Sequence, residues 1–377
     1  MKATRHVIAT GAAVIFALGV AACGSSTTTS SPATSSGGGT KAAGKIALLL
    51  PETKTARYEA ADKPDFVAKL QALGYDTSQL IYSNANQDSA NQLTQAEAAI
   101  SNGATVLVLD PVDSKAAGAI ADKAKAAGIP VIAYDRLINN STGVTAYISF
   151  DNMLVGQLQA QALVAQLTSL GKTNPSIVMI NGSPTDNNAG QFKAGAHSVF
   201  DPLVAAGKLT IAKEYDTPDW SPDQAQTEMQ QALTALSNKV DGVYCANDGT
   251  AGGAIAAMKS AQVSPLPPVT GQDAEVAGLQ RIVAGEQFMT VYKAIKPEAE
   301  LAAQTAYTLA TGGKIDSSAF SKSTDNGSGG VPSDLLTPIA VTKANIASTV
   351  VKDAFHTFAE ICTAPYAAAC TAAGLTG

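Results

Sequence analysis

The sequence predicts an α/β protein built as two doubly wound parallel-sheet lobes joined by a three-crossing hinge. Three observations carry that prediction. From Lys45 onward, short apolar runs alternate with amphipathic Ala/Gln/Lys-rich segments at a spacing of roughly 25–30 residues, the pattern of repeated βαβ units. The apolar runs are continuous instead of alternating, as in strands buried on both faces of a parallel sheet. They fall into two consecutive series of five, which fits two lobes better than one large sheet.

The first series of strands is read at residues 46–50, 79–82, 105–109, 131–134 and 146–150. The second is read at 176–180, 210–215, 240–245, 269–271 and 288–292. Helices are expected between them, the clearest at 90–101, 114–127, 153–170 and 224–236. A further helix is read over 293–312, then a polar Gly/Ser-rich stretch over 316–330, an extended run over 335–341 and a last helix over 346–361. With five strands in each lobe, the helix after Lys293 can rejoin the first lobe, and the C-terminal helix must then return to the second. The chain is therefore expected to cross near Asp151 and Asn152, near Tyr292 and Lys293, and between Pro338 and Thr342. One lobe takes residues 44–151 with 293–337, the other 152–292 with 338–377.

Ahead of the lobes the chain reads as an address. Lys2 and Arg5 form a basic n-region, and residues 7–19 an apolar stretch too short for a comfortable membrane span. Val20-Ala21-Ala22-Cys23 then resembles the bacterial lipobox, in which the leader, here 1–22, is removed and the cysteine is diacylated. Two acyl chains suffice for stable anchoring where one is marginal. Removing the leader takes away Lys2 and Arg5, leaving 23 basic against 31 acidic side chains, a net charge of −8. Residues 23–43, rich in Ser, Thr and Gly, read as a flexible tether holding a globular body off the membrane. The expected location is extracytoplasmic, lipid-anchored to the cell membrane.

Composition narrows the class. The 377 residues are 46 % hydrophobic, which argues against disorder, and only 15 % charged, where soluble domains carry roughly 25 %. The acidic balance argues against a nucleic-acid binder held by phosphate contacts. A single long apolar run, at the N-terminus, argues against a multi-span permease. Of the four cysteines, Cys23 is the anchor and Cys245, in an apolar run, a buried core thiol. Cys362 and Cys370, eight apart in an exported chain, are expected to form a small disulfide loop. No paired metal-ligand spacing accompanies them, so no metal and no cofactor are expected.

Ligands of open α/β sheets bind beyond the carboxyl ends of the strands. Arg57 and Tyr58 follow the first strand, Asp110 the third, and Asp135 with Arg136 the fourth. In the second series Asn181 begins a loop reaching Asp186, Asn187 and Asn188, and Trp220 follows the next strand closely. Asn247 with Asp248, Gln272 with Asp273, and Lys293 complete the set. Asp and Asn after strands often cap the next helix, and Asp248 and Asn187 are read that way. Converging from both lobes, the set suits a neutral polyol. Carboxylates accept from hydroxyls, Arg and Lys donate to them, and flat rings cover the apolar C–H faces of a sugar.

Several of these stretches resemble the periplasmic D-xylose-binding proteins, substrate-binding components of ABC importers in the ribose- and galactose-binding superfamily. They are Ala133 through Asn139, Tyr147 through Asn152, Gly182 through Asn188, Ala246-Asn247-Asp248, Gly252-Gly253-Ala254, Gly271-Gln272-Asp273 and Met289 through Lys293. The resemblance runs in order from about Lys45 to Asn345 and implies a type I periplasmic binding protein fold. It implies sugar contacts from Arg57, Asp135, Arg136 and Asp186, and from Asn188, Asn247, Asp273 and Lys293. Trp220 and Tyr58 would be the stacking aromatics, Tyr58 standing where that family typically has Trp.

The expected function is a monomeric receptor that closes its lobes around D-xylose and presents it to an ABC permease. The alternative is the same role for ribose, arabinose, glucose or galactose, and a more distant one is a secreted glycosidase. No catalytic residues are assigned. The nearest phosphate-loop pattern, residues 39–45, is followed by Ile46 where Ser/Thr is needed and precedes a strand instead of following one. A sugar-responsive DNA-binding regulator would need a helical module where the export signal lies.

Overall fold

The structure, a computed structural model, describes residues 43–375, so the leader, Cys23 and nearly all of the tether lie outside the described residues. The chain begins with β1 (Lys45–Leu50), α1 (Lys63–Ala72), β2 (Ile81–Asn84), α2 (Ser89–Ser101), β3 (Ala104–Leu109), α3 (Gly118–Ala126), β4 (Val131–Tyr134) and β5 (Val144–Phe150). It continues with α4 (Asn152–Ser169), β6 (Ser176–Asn181), α5 (Asn187–Ala205), β7 (Thr210–Asp216), α6 (Pro222–Ala235), β8 (Gly242–Cys245), α7 (Asp248–Ser260), α8 (Val276–Ala284) and β9 (Met289–Tyr292). Then come α9 (Ile295–Ala310), β10 (Lys322–Asp325), β11 (Gly330–Leu336), β12 (Ile339–Thr342), α10 (Phe358–Ile361) and α11 (Ala367–Ala372).

Helix starts are set by local chemistry. Asp88, Asp151, Asp186, Ser221 and Asn247 each turn a side-chain oxygen onto a free N–H of the following first turn. At α6 the cap is followed by Pro222, whose missing N–H costs nothing at that position. The helix α8 ends at Gly285, whose φ of +79° suits glycine.

The larger sheet has the order β10-β11-β5-β4-β3-β1-β2, parallel except for the edge strand β10. The other half of the body holds the parallel sheet β7-β6-β8 and the antiparallel pair β12-β9. Single bridges, Val243 to Val269 and Gln272 to Val291, tie these together. Three short connections pass between the two sets of sheets. β5 ends at Phe150 before α4, which packs on β8, β9 and β12. β9 ends at Tyr292 before α9, which packs on α1 and β3, and β11 ends at Leu336 before β12.

Each sheet is buried on both faces, which is why its strands read as continuous apolar runs. Ile46, Leu48 and Leu50 point into one core and Ala47 and Leu49 into the opposite one. In the second sheet Ile177 and Met179 divide from Val178 and Ile180 in the same way. A fully buried Leu or Ile stabilises by about 1.5–3 kcal/mol, so a shift of register would be heavily penalised.

Four elements differ from the sequence reading. Gln79 belongs to a 3₁₀ turn, because the Asp76 carboxylate accepts from Ser78 N, and β2 starts two residues later. The stretch at 269–271 contributes a bridge instead of a full strand. The extended run at 335–341 is two strands that break at Pro338 and serve different sheets, while the polar stretch before it supplies β10. The last helix is interrupted: a wide turn at Ala347–Val351 gives way at Ala354, with φ +55°, and α10 restarts behind a Thr357/Glu360 capping box. A disulfide joins Cys362 and Cys370, and Cys370 packs with Leu279 and Ile282 of α8. Among the described residues Cys245 is the free cysteine, and it is buried.

Candidate functional site

The loops beyond the carboxyl ends of the strands close on one pocket. All ten residues to which the resemblance gives sugar contacts line it, Arg57, Tyr58, Asp135, Arg136, Asp186, Asn188, Trp220, Asn247, Asp273 and Lys293, whereas Asp110 and Asn181, also read at strand ends, do not. Thr55, Phe192 and Gln272 complete the wall.

Asp135 stands at the centre. It follows β4 in a left-handed conformation, φ +52°, which an aspartate tolerates better than most residues. Its backbone is held from both sides: its N–H donates to Ile148 O at 2.9 Å, and its carbonyl accepts from Asn188 Nδ2 at 2.9 Å and Tyr147 Oη at 3.2 Å. Its carboxylate accepts from Tyr58 Oη at 3.1 Å and Arg57 Nη1 at 3.3 Å, with Lys293 Nζ at 3.5 Å. Burial pushes that carboxyl up, but Arg57, Lys293 and Arg136 outweigh it and hold the group well below the usual carboxylate range.

The two guanidiniums are clamped from behind. In the β1 loop Glu52 accepts the backbone N–H groups of Lys54 and Thr55, which sets the turn before Arg57. Arg57 donates to Asp62 at 2.6 and 2.9 Å and to Glu298 of α9 at 2.8 Å. Arg136 donates to Pro111 O at 3.2 Å and Tyr58 Oη at 3.1 Å. Its Nε lies 3.0 Å from Asp186 Oδ2, close enough to pair but not aligned as a hydrogen bond.

Tyr58 therefore departs from a simple stacking role. Its hydroxyl is engaged by Asp135 and Arg136, and the Arg57 and Arg136 guanidinium carbons lie 5.3 and 5.6 Å from its ring centroid. Trp220 is the clearer platform. Its Nε1 donates to Asp186 Oδ2 at 3.0 Å, and its ring meets Phe192 edge-on at 6.3 Å. Asp186 thus joins three jobs, because its other oxygen caps α5 through Asn188 N at 2.8 Å.

The caps expected at Asp248 and Asn187 sit one residue earlier. Asn247 caps α7 through Thr250 N at 2.8 Å, and Asp186 caps α5, so Asp248 and Asn187 are first helical residues. Capping and lining the cavity are not alternatives here, since the same side chains do both. Asp248 instead sits fully buried, accepting from Gln287, Thr290 and the N–H of Glu275.

Sequence reasoning missed Phe192, Thr55 and the supporting carboxylates Glu52, Asp62 and Glu298. Phe192 lies four residues beyond Asn188 on α5, the one spacing that could have revealed it. Glu298 lies in the first turn of α9, two residues before Glu300, where an acid ordinarily faces solvent.

The sequence pattern of the periplasmic binding protein domain matches residues 46–314. The chain is 41 % identical over 313 residues to the D-xylose-binding periplasmic protein of Haemophilus influenzae, covering 83 % of this chain and 90 % of that one. It is 40 % identical over 319 residues to the D-xylose-binding periplasmic protein of Escherichia coli, covering 84 % and 92 %. Among solved structures, an ABC transporter solute-binding protein from Clostridium phytofermentans with bound β-D-glucose matches with a TM-score of 0.77 at 30 % identity, covering 84 % of this chain and 99 % of that one.

Proposed function

The chain belongs to the periplasmic binding proteins, and from that premise we propose that it is an extracytoplasmic receptor that delivers D-xylose, or a close aldopentose, to an ABC permease. One observation carries the reading: a single buried cavity draws planar hydrogen-bonding groups and one Trp ring from loops of both halves of the body. Roughly 40 % identity to two D-xylose-binding proteins supports the choice of pentose.

The two lobes are residues 44–151 with 293–337 and residues 152–292 with 338–377, and they close as a hinge about three connections. Asp135, Arg57 and Lys293 hold hydroxyls from one side, and Asp186, Asn188, Asn247 and Asp273 from the other. Trp220 covers an apolar face of the ring. In so dry a site each polar group left unmatched costs about 1–3 kcal/mol, so a ligand lacking a hydroxyl in the right place is rejected. The body acts as a monomer anchored through acylated Cys23, and no catalysis is involved.

Calorimetry of the soluble body against a monosaccharide panel tests this. D-xylose should bind stoichiometrically, and at 100-fold excess over Kd raise stability by about 2.7 kcal/mol. The β-D-glucose in the Clostridium structure supports a second reading, in which a hexose binds best. Release of reducing sugar from aryl glycosides without stoichiometric binding would overturn both.

A further inference from the structure

Three cations stand in the cavity wall, and each is already taken by carboxylates. Arg57 meets Asp62 at 2.6 Å, Glu298 at 2.8 Å and Asp135 at 3.3 Å. Arg136 has Asp186 at 3.0 Å, Asp110 at 3.6 Å and Glu52 at 3.9 Å. Lys293 stands 3.3 Å from Asp273 and 3.5 Å from Asp135. None of these side chains is more than 4 % exposed, so bulk water does little to screen them.

Seven carboxyl groups thus face three cations. Burial pushes Asp110, Glu298 and Asp186 up, and with all three set aside Glu52, Asp62, Asp135 and Asp273 still stand four against three. A neutral polyol is indifferent to this excess, because it needs acceptors for its hydroxyls and finds them in Asp135 and Asp273. A carboxylate-bearing ligand needs an unclaimed cation and finds none. It would also lie against like charges in a desolvated site, which is strongly unfavourable.

We propose that the cavity selects uncharged sugars and rejects sugar acids, with Asp186 and Asp273 as the specificity-determining residues because they withdraw Arg136 and Lys293 from any anion. This rests on the receptor reading above and deepens it. The discrimination is electrostatic and independent of ligand size.

The test compares D-glucuronamide with D-glucuronate, which share a skeleton and differ in charge, with D-xylose titrated in parallel at pH 7. The amide should bind wild type at least tenfold more tightly than the acid. Asp273→Asn and Asp186→Asn should narrow that ratio at least threefold, whatever they do to D-xylose affinity, with melting curves confirming that each variant is folded. Equal binding of acid and amide overturns the proposal. So does rejection of both while D-xylose binds, because the exclusion is then steric, and so does an unchanged ratio in both folded variants. Failure of every sugar to bind, D-xylose included, removes the receptor reading itself and is recognisable as such.

Discussion

Gly182 lies against the Trp220 ring: a Cβ at residue 182 would collide with the ring carbons Cη2, Cζ2 and Cζ3. The absence of a side chain after β6 is what lets the indole lie flat in the wall, with Nε1 on Asp186. Gly182→Ala should push the ring into the cavity, cost about 1–3 kcal/mol in overpacking and weaken D-xylose binding at least tenfold. Trp220 is the one tryptophan, so its fluorescence reports both the displacement and the binding. Unaltered affinity in Gly182→Ala would show that the ring does not face the sugar.

Asp135 separates charge from backbone strain. Asn tolerates the left-handed region nearly as well as Asp, whereas Ala does not. Asp135→Asn should therefore melt above Asp135→Ala, with both below wild type because Arg57 and Lys293 lose a buried anion, and each should lose at least tenfold in affinity, one decade being 1.4 kcal/mol. Calorimetry with parallel melting curves measures the pair, and equal affinity of Asp135→Asn and wild type would remove the carboxylate from the site.

The wall of the cavity was legible because loops after parallel strands are where such folds place ligands, and polar residues there stand out against apolar strands. What lay behind the wall was not. Glu298 sits in a helix whose neighbours give no sign that this turn is buried beneath Arg57, and Asp62 reaches Arg57 only through the wide helical turn at Tyr58–Asp62. The strand breaks at Pro338 and the interrupted C-terminal helix depend on which sheet each segment joins. Local propensity does not record that choice.

The C-terminal disulfide should matter for stability and not for binding. Cys362 and Cys370 close a loop eight residues apart, packed on α8 and absent from the cavity wall. Loop closure of this size is worth up to roughly 2–3 kcal/mol. The double variant Cys362→Ser/Cys370→Ser should lose stability of that order in urea and keep D-xylose affinity within about threefold. Cys245, whose thiol burial pushes up, should react with thiol reagents only after unfolding.

The proposed anchoring rests on the n-region, apolar stretch and small residues before Cys23. Cys23→Ser should leave the protein unacylated and move it from the detergent phase to the aqueous phase on phase separation. Wild-type partition of the variant would exclude lipidation at that cysteine.

Asp248 sets a pH dependence of stability. It is fully buried and no cation pairs with its carboxyl oxygens; burial, only partly offset by Arg281 and by its hydrogen bonds, pushes its pKa up to about 7. A carboxyl with a raised pKa in the fold binds a proton that the unfolded chain releases near pH 4. Its stabilisation is complete below that pH and is lost as pH rises through about 7. Asp110 and Glu298, pushed up by burial, act in the same direction. Asp135 acts oppositely, but its carboxyl is ionised in both states above pH 5 and adds no slope there. The wild-type melting temperature should therefore fall between pH 5 and pH 8, by several degrees at roughly 2–4 °C per kcal/mol. Asp248→Asn cannot release a proton, so its curve should be flatter over the same window, while D-xylose affinity, which Asp248 does not touch, stays near wild type. Parallel curves for the two proteins would mean that Asp248 is already ionised in the fold, and the buried carboxyl would need a partner other than Thr290, Gln287 and the Glu275 N–H.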